Sequence, residues 1–180
     1  ALLDKMLEIR CFQAGYYAEI GVDILHTGDD LGMQNSLILS VPMWRKWIKP
    51  RLAQVIQTAR RIKPDLLVEY HTDGFVEPFI SELIEIGIDV LNPVQPECMD
   101  PADIKRKFGN HMAFSGTIGT QSTLPFGTVD DVRRVVKERI ETVGKGGGLI
   151  LAPSHMVEPD VPWENLITFF ESAEEFGHYS

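Results

Sequence analysis

His71 and Asp73 stand two residues apart at the end of an apolar run, Leu66-Leu67-Val68-Glu69-Tyr70-His71-Thr72-Asp73-Gly74. Residues two apart on a β-strand point to the same side. An imidazole and a carboxylate can therefore converge on one point while Thr72 faces away, and Gly74 lets the chain turn sharply behind them. Such a pair suits a metal ion, and it equally suits a hydrogen-bonded closure of the strand. The same layout recurs along the chain. His26 and Asp29 follow Val22-Asp23-Ile24-Leu25, Gln95 follows Ile88-Asp89-Val90-Leu91, and His155 follows Leu149-Ile150-Leu151-Ala152. With His155 added, three candidate metal ligands come from two strand ends. The Asp29-Asp30-Leu31-Gly32 loop either binds and orients a substrate or serves as a turn. Gln95 offers an amide to a ligand or closes a loop. Glu158 and Asp160 either orient a histidine or sit as acids near a helix start. His26 faces the centre or the wall of the fold according to register. His111 and His178 read as solvated, and Tyr70, Trp44, Trp47 and Trp163 as packing residues.

The elements that must position these groups follow from periodicity. Apolar spacing predicts a helix over 2–19, with Leu3, Met6, Leu7, Ala14, Tyr17 and Ala18 packed on something larger and a stop at Gly21. Ser40-Val41-Pro42 reads as a cap with proline in the first turn of a helix reaching about Ile62, which Pro50 should kink or divide. Further helices are expected over Pro78–Ile86, Pro101–Phe108, Val129–Val143 and after Pro162. Strands are expected near Val22, Leu66, Ile88, Met112 and Leu149. Glu19-Ile20-Gly21-Val22-Asp23-Ile24-Leu25 and Glu85-Ile86-Gly87-Ile88-Asp89-Val90-Leu91 share five identities in seven, each where a helix ends and a strand begins. Alternating strands and helices call for a parallel sheet covered by helices, in one domain over 1–180. In such folds functional groups gather at the carboxyl ends of strands, which is where His26, Asp29, His71, Asp73, Gln95 and His155 fall. Gly146-Gly147-Gly148 precedes a strand rather than linking strand to helix, so it is no phosphate cradle.

Composition narrows the function. The 180 residues are 44% hydrophobic and carry a formal charge of -9, which argues against a general nucleic-acid or acidic-membrane binder. No apolar run approaches the roughly 18 residues of a spanning helix, and the start lacks the order of a secretory signal. The expectation is a cytoplasmic protein. Cys11 and Cys98 form no CxxC pair, which suggests neither a disulfide framework nor a thiolate zinc knuckle.

Several segments together resemble the uroporphyrinogen decarboxylase superfamily. They are Gly28-Asp29-Asp30-Leu31-Gly32-Met33-Gln34, His71-Thr72-Asp73-Gly74, Leu91-Asn92-Pro93-Val94-Gln95-Pro96, Phe114-Ser115-Gly116-Thr117-Ile118 and Ala152-Pro153-Ser154-His155-Met156 through Pro162. The superfamily contains the haem-pathway decarboxylase and zinc-dependent methyltransferases that move methyl groups between corrinoids and thiols. Its fold is a TIM (β/α)8 barrel, of which this chain would cover about the last five βα units. Against the methyltransferases, His71 fills the histidine of a His-x-Cys zinc motif, Asp73 stands at the first cysteine and His155 near the second. The resemblance thus implies a zinc site of His71, Asp73 and His155, harder than His/Cys/Cys, with a corrinoid or cobalamin as substrate or partner-bound cofactor. Thr27, Asp29, Asp30, Gln34 and Gln95 are taken as substrate-binding. Against the decarboxylase, which needs no metal, His155 falls near a histidine that contacts the tetrapyrrole and Thr27 near a serine contacting substrate carboxylate. That enzyme's arginine-rich motif and key aspartate belong to earlier strands, so Asp29 and Asp30 do not take that role.

The first reading is therefore zinc-dependent methyl transfer between a corrinoid and a thiol or related acceptor. The alternatives are decarboxylation of a tetrapyrrole and a non-catalytic barrel fragment. A five-stranded slice of an eight-stranded barrel leaves two open edges and an apolar inner face, so self-association or pairing with a missing N-terminal part is expected.

Overall fold

Five parallel strands in sequential order, β1-β2-β3-β4-β5, organise the computed structural model, which describes residues 1–178. Helix α1 (Leu2–Glu19) precedes β1 (Ile24–Gly28); α2 (Val41–Trp47) and α3 (Lys49–Ile62) follow it. Then come β2 (Leu67–His71), α4 (Glu77–Glu85), β3 (Val90–Asn92), α5 (Pro101–Phe108) and β4 (Ala113–Ser115). A four-residue turn of helix, α6 (Thr123–Phe126), precedes α7 (Val129–Thr142), β5 (Leu149–Ile150) and α8 (Trp163–Phe176). Strand–helix repeats with all-parallel neighbours form an arc of a TIM-type barrel.

Local chemistry sets the boundaries. The Ser40 hydroxyl accepts from the Met43 N–H at 3.3 Å and caps α2. Pro50 falls in the first turn of α3, where its missing N–H costs nothing, so the expected long helix is divided at Ile48. Thr128 and Asp131 exchange bonds as a capping box for α7. The two seven-residue copies have one conformation: Gly21 (φ 88°) and Gly87 (φ 93°) leave their helices left-handed, and each strand starts three residues later, at Ile24 and Val90. α6 was not expected, because four residues are too few to show periodicity.

Alternation along the strands separates two faces. Leu25, Val68, Tyr70, Leu91 and Phe114 are buried under the helices with Trp44, Phe79, Ile80 and Leu83. The opposite, barrel-inner face carries Ile24, His26, Leu67, Glu69, His71, Asn92 and Ile150, of which Ile24, Leu67 and Ile150 are about half exposed (46%, 45% and 45%). Two packing expectations need correction. Of the tryptophans only Trp44 is buried, whereas Trp47 and Trp163 lie at 44% and 68% exposure. α1 packs on α3 through Ala14, Gly15 and Ala18, but Met6 and Tyr17 lie at its exposed flank, beside Ile9 and Phe12.

Candidate metal centre

The end of β2 supplies the centre. Thr72 is fully buried and its Oγ1 accepts the Leu31 N–H at 2.9 Å, so it does face away from its neighbours. His71 and Asp73 face the opening, with Nε2 3.4 Å from Asp73 Oδ2. Asp30 completes a group: it, His71 and Asp73 each offer a ligand atom, all within 4.8 Å of one another. His155 stands beside this group rather than inside it, its Nε2 3.9 Å from Asp73 Oδ2. Behind His71, Nδ1 lies 2.8 Å from Asn92 Oδ1, and Asn92 Nδ2 donates to Ser115 Oγ at 3.0 Å.

Asp30 reaches the centre because the loop after β1 is locked to the turn after β2. The Asp73 N–H donates to Asp30 Oδ1 at 3.2 Å, and the Phe75 N–H to the Met33 carbonyl at 2.8 Å. Gly32 and Gly74 allow the two backbones to touch. The Gly74 N–H also donates to Gln95 Oε1 at 3.1 Å, which ties the loop after β3 to the same turn. Gln95 is buried, so its amide oxygen closes a loop while the residue still lines the adjoining cavity.

That cavity measures about 430 Å³ and is lined by Gln34, Asp73, Gln95, Thr120, Gln121, Ser154, His155, Glu158 and Asp160, with Met33 and Met156. Gln34 Nε2 donates to Gln121 Oε1 at 3.0 Å across it. Among the described residues of its lining, none is lysine or arginine. Thr27 and Asp29 lie elsewhere. They line a smaller cavity of about 110 Å³ between α1, β1 and α3, together with Arg10 and Arg51. Thr27 pairs in register with the buried Tyr70 and so belongs to the helix-covered face of the sheet, while its neighbours His26 and Gly28 belong to the inner face. Although Asp29 is exposed as a residue, burial raises its carboxyl above the ordinary range, against the pull of Arg10.

Three residues around His26 and His71 were missed from sequence, as were Thr120, Gln121 and Ser154 of the cavity lining. Glu69 accepts or shares a proton with His26 Nδ1 at 2.8 Å, and the His26 and His71 rings lie 6.1 Å apart. The two-residue periodicity that pairs His71 with Asp73 extends back to Glu69 and would have found it. Asn92 and Ser115 gave no such signal, because their placement depends on strand register.

Parallel βα units carrying polar groups at one end of the sheet define a barrel-type α/β scaffold. The chain belongs to the uroporphyrinogen decarboxylase (URO-D) family, whose profile it matches over residues 1–176. It is similar to the methylcobamide:CoM methyltransferase MtaA of Methanosarcina barkeri, at 24% identity over 97% of this chain and 48% of the relative. It is also similar to the uroporphyrinogen decarboxylase of Nostoc punctiforme, at 26% identity over 98% and 47%. A solved methyltransferase from Methanosarcina mazei shares the fold, with a TM-score of 0.75 at 23% identity over 96% and 48%. The chain spans about half the length of the curated relatives it matches. No helix among the described residues is long and apolar enough to cross a membrane.

Proposed function

We propose that this chain contributes the metal-binding part of a methyltransferase of the family, moving a methyl group between a corrinoid and a thiol or related acceptor. The observation that carries the reading is the Asp30, His71 and Asp73 group, of which Asp73 lines the large cavity. An imidazole and two carboxylates are donors that zinc accepts. The 3.4 Å between His71 Nε2 and Asp73 Oδ2 equals the edge of a tetrahedron with bonds of about 2.0–2.1 Å. Asp30, His71 and Asp73 would hold the ion, with His155 as a further ligand or as a contact to the substrate. Zinc so held would supply Lewis acidity, lowering the pKa of a bound thiol or water. Gln34, Gln121, Thr120 and Ser154 would orient the substrate by hydrogen bonds.

The tetrapyrrole alternative is supported by the decarboxylase relatives, but a cavity lined by Asp73, Glu158 and Asp160, with no lysine or arginine among the described residues of its lining, suits a polyanion poorly. The test is elemental analysis of the intact protein after purification without chelators, followed by assay with methylcobalamin plus a thiol and with uroporphyrinogen. Roughly one zinc and thiol methylation are expected. Fully active metal-free protein, or turnover of the tetrapyrrole alone, would overturn the reading.

A further inference from the structure

We propose that Asn92, held by Ser115, is a positioning residue that fixes His71 as its Nδ1–H tautomer and presents the Nε2 electron pair toward Asp73. The inference rests on the metal reading only for the use of that electron pair; the tautomer itself is a separate matter.

Three adjacent strands build the device. His71 on β2 and Asn92 on β3 are register partners, and Ser115 on β4 continues the row. The Asn92 amide therefore lies between an imidazole and a hydroxyl. Its Nδ2 donates to Ser115 Oγ at 3.0 Å and its Oδ1 faces His71 Nδ1 at 2.8 Å; because a hydroxyl can also donate, it is the two distances at His71 that decide which way the amide stands. An amide oxygen only accepts, so Nδ1 must carry the proton. Ser115 is 3% exposed, which leaves the hydroxyl little access to water as a competing partner.

The opposite arrangement would have the amide reversed and the proton on Nε2. Nε2–H would then face the Asp73 carboxylate, and such charge-assisted bonds contract to about 2.7–2.9 Å. The observed 3.4 Å is longer than that, whereas the Nδ1 contact has the length of a good hydrogen bond. Two electron-pair donors directed at a common point account for both distances. Asn92 would thereby do for His71 what a hydrogen-bonded carboxylate or carbonyl does behind many metal-binding imidazoles.

Long-range 15N–1H correlation of the imidazoles in the intact protein, stripped of metal at about pH 8, reads the tautomer directly, with His71 assigned by its loss in His71→Ala. The expected pattern is Nδ1–H in the wild type and in Asn92→Asp, and Nε2–H in Asn92→Leu. Zinc titration should show Asn92→Leu weaker by about ten- to hundredfold, with Asn92→Asp within a few-fold of wild type. Ser115→Ala, a smaller change, should give a mixture of tautomers, and it carries the test if Asn92→Leu does not fold. An Nε2–H wild type, or Asn92→Leu and Ser115→Ala proteins with unchanged tautomer and zinc affinity, would overturn the proposal. If the tautomers behave as expected and no variant binds zinc, the positioning role stands and the metal reading falls.

Discussion

A Cβ on Gly74 would lie 2.6 Å from the carbonyl oxygen of Met33. The contact is mutual, since a Cβ on Gly32 would lie 2.6 Å from the Asp73 carbonyl oxygen. Two turns from different strands are thus in backbone contact, and the distance between Asp30 and Asp73 depends on it.

Gly74→Ala should therefore do two things. Its φ of +82° adds strain of about 1–3 kcal/mol, and the side chain must push the turns apart. Gly146→Ala is the control, with φ +78° and no atom within 4 Å of the added carbon. Urea denaturation should show a larger loss for Gly74→Ala, and zinc affinity should fall in that variant alone. Equal losses with unchanged affinity would show that the contact between the turns yields freely.

The neighbouring acids separate by role. Asp30→Ala and His71→Ala should each weaken zinc binding by about ten- to hundredfold or more. Asp29→Ala should leave it unchanged, because Asp29 belongs to the cavity beside Arg10 and Arg51. Competition with a chromophoric chelator measures all three. A loss confined to Asp29→Ala would mean that the wrong aspartate has been placed at the centre.

Much of this arrangement was legible in the sequence because it depends on local geometry. The two-residue repeat of a strand put His71 and Asp73 on one side, and Gly21 and Gly87 marked helix ends where only glycine relaxes into a left-handed turn. What escaped depends on how separate segments meet. Asp30 and Asp29 look alike in the chain, and only the way the loop after β1 meets the turn after β2 assigns the first to the centre and leaves the second outside it. Trp163 is apolar enough to read as core, yet it opens α8 at 68% exposure.

Glu82 gives the fold a measurable acid limit. Its carboxylate is nearly buried on α4 and accepts from the Arg45 guanidinium and, at 2.8 Å, from Lys49 Nζ. These two cations hold its pKa below the ordinary glutamate value of 4.5. A depressed folded-state pKa means stability that is complete above about pH 4.5 and is lost as pH falls through the lower folded value. Glu82→Gln should cost about 1–3 kcal/mol at pH 7 through the weakened charged hydrogen bonds. The difference between wild type and Glu82→Gln, measured by urea unfolding from pH 7 to 3, should shrink toward the acid end. A constant difference would show that the ionised carboxylate contributes nothing.

The open inner face makes the last prediction. Ile24, Leu67 and Ile150 are each about half exposed there, and β1 and β5 each present one unpaired edge. Unpaired parallel edges next to apolar surface are places where another strand or another chain adds. Residues 1–180 taken alone should therefore exceed the 20.3 kDa of one chain in light scattering at micromolar concentration. Leu67→Lys, which puts a charge on the inner face without touching the Asp30, His71 and Asp73 group, should shift that mass toward the monomer. Adding the barrel strands that complete the fold in longer relatives should do the same by covering the face. A wild-type monomer across that range would show that the open edges and the apolar inner face do not drive association.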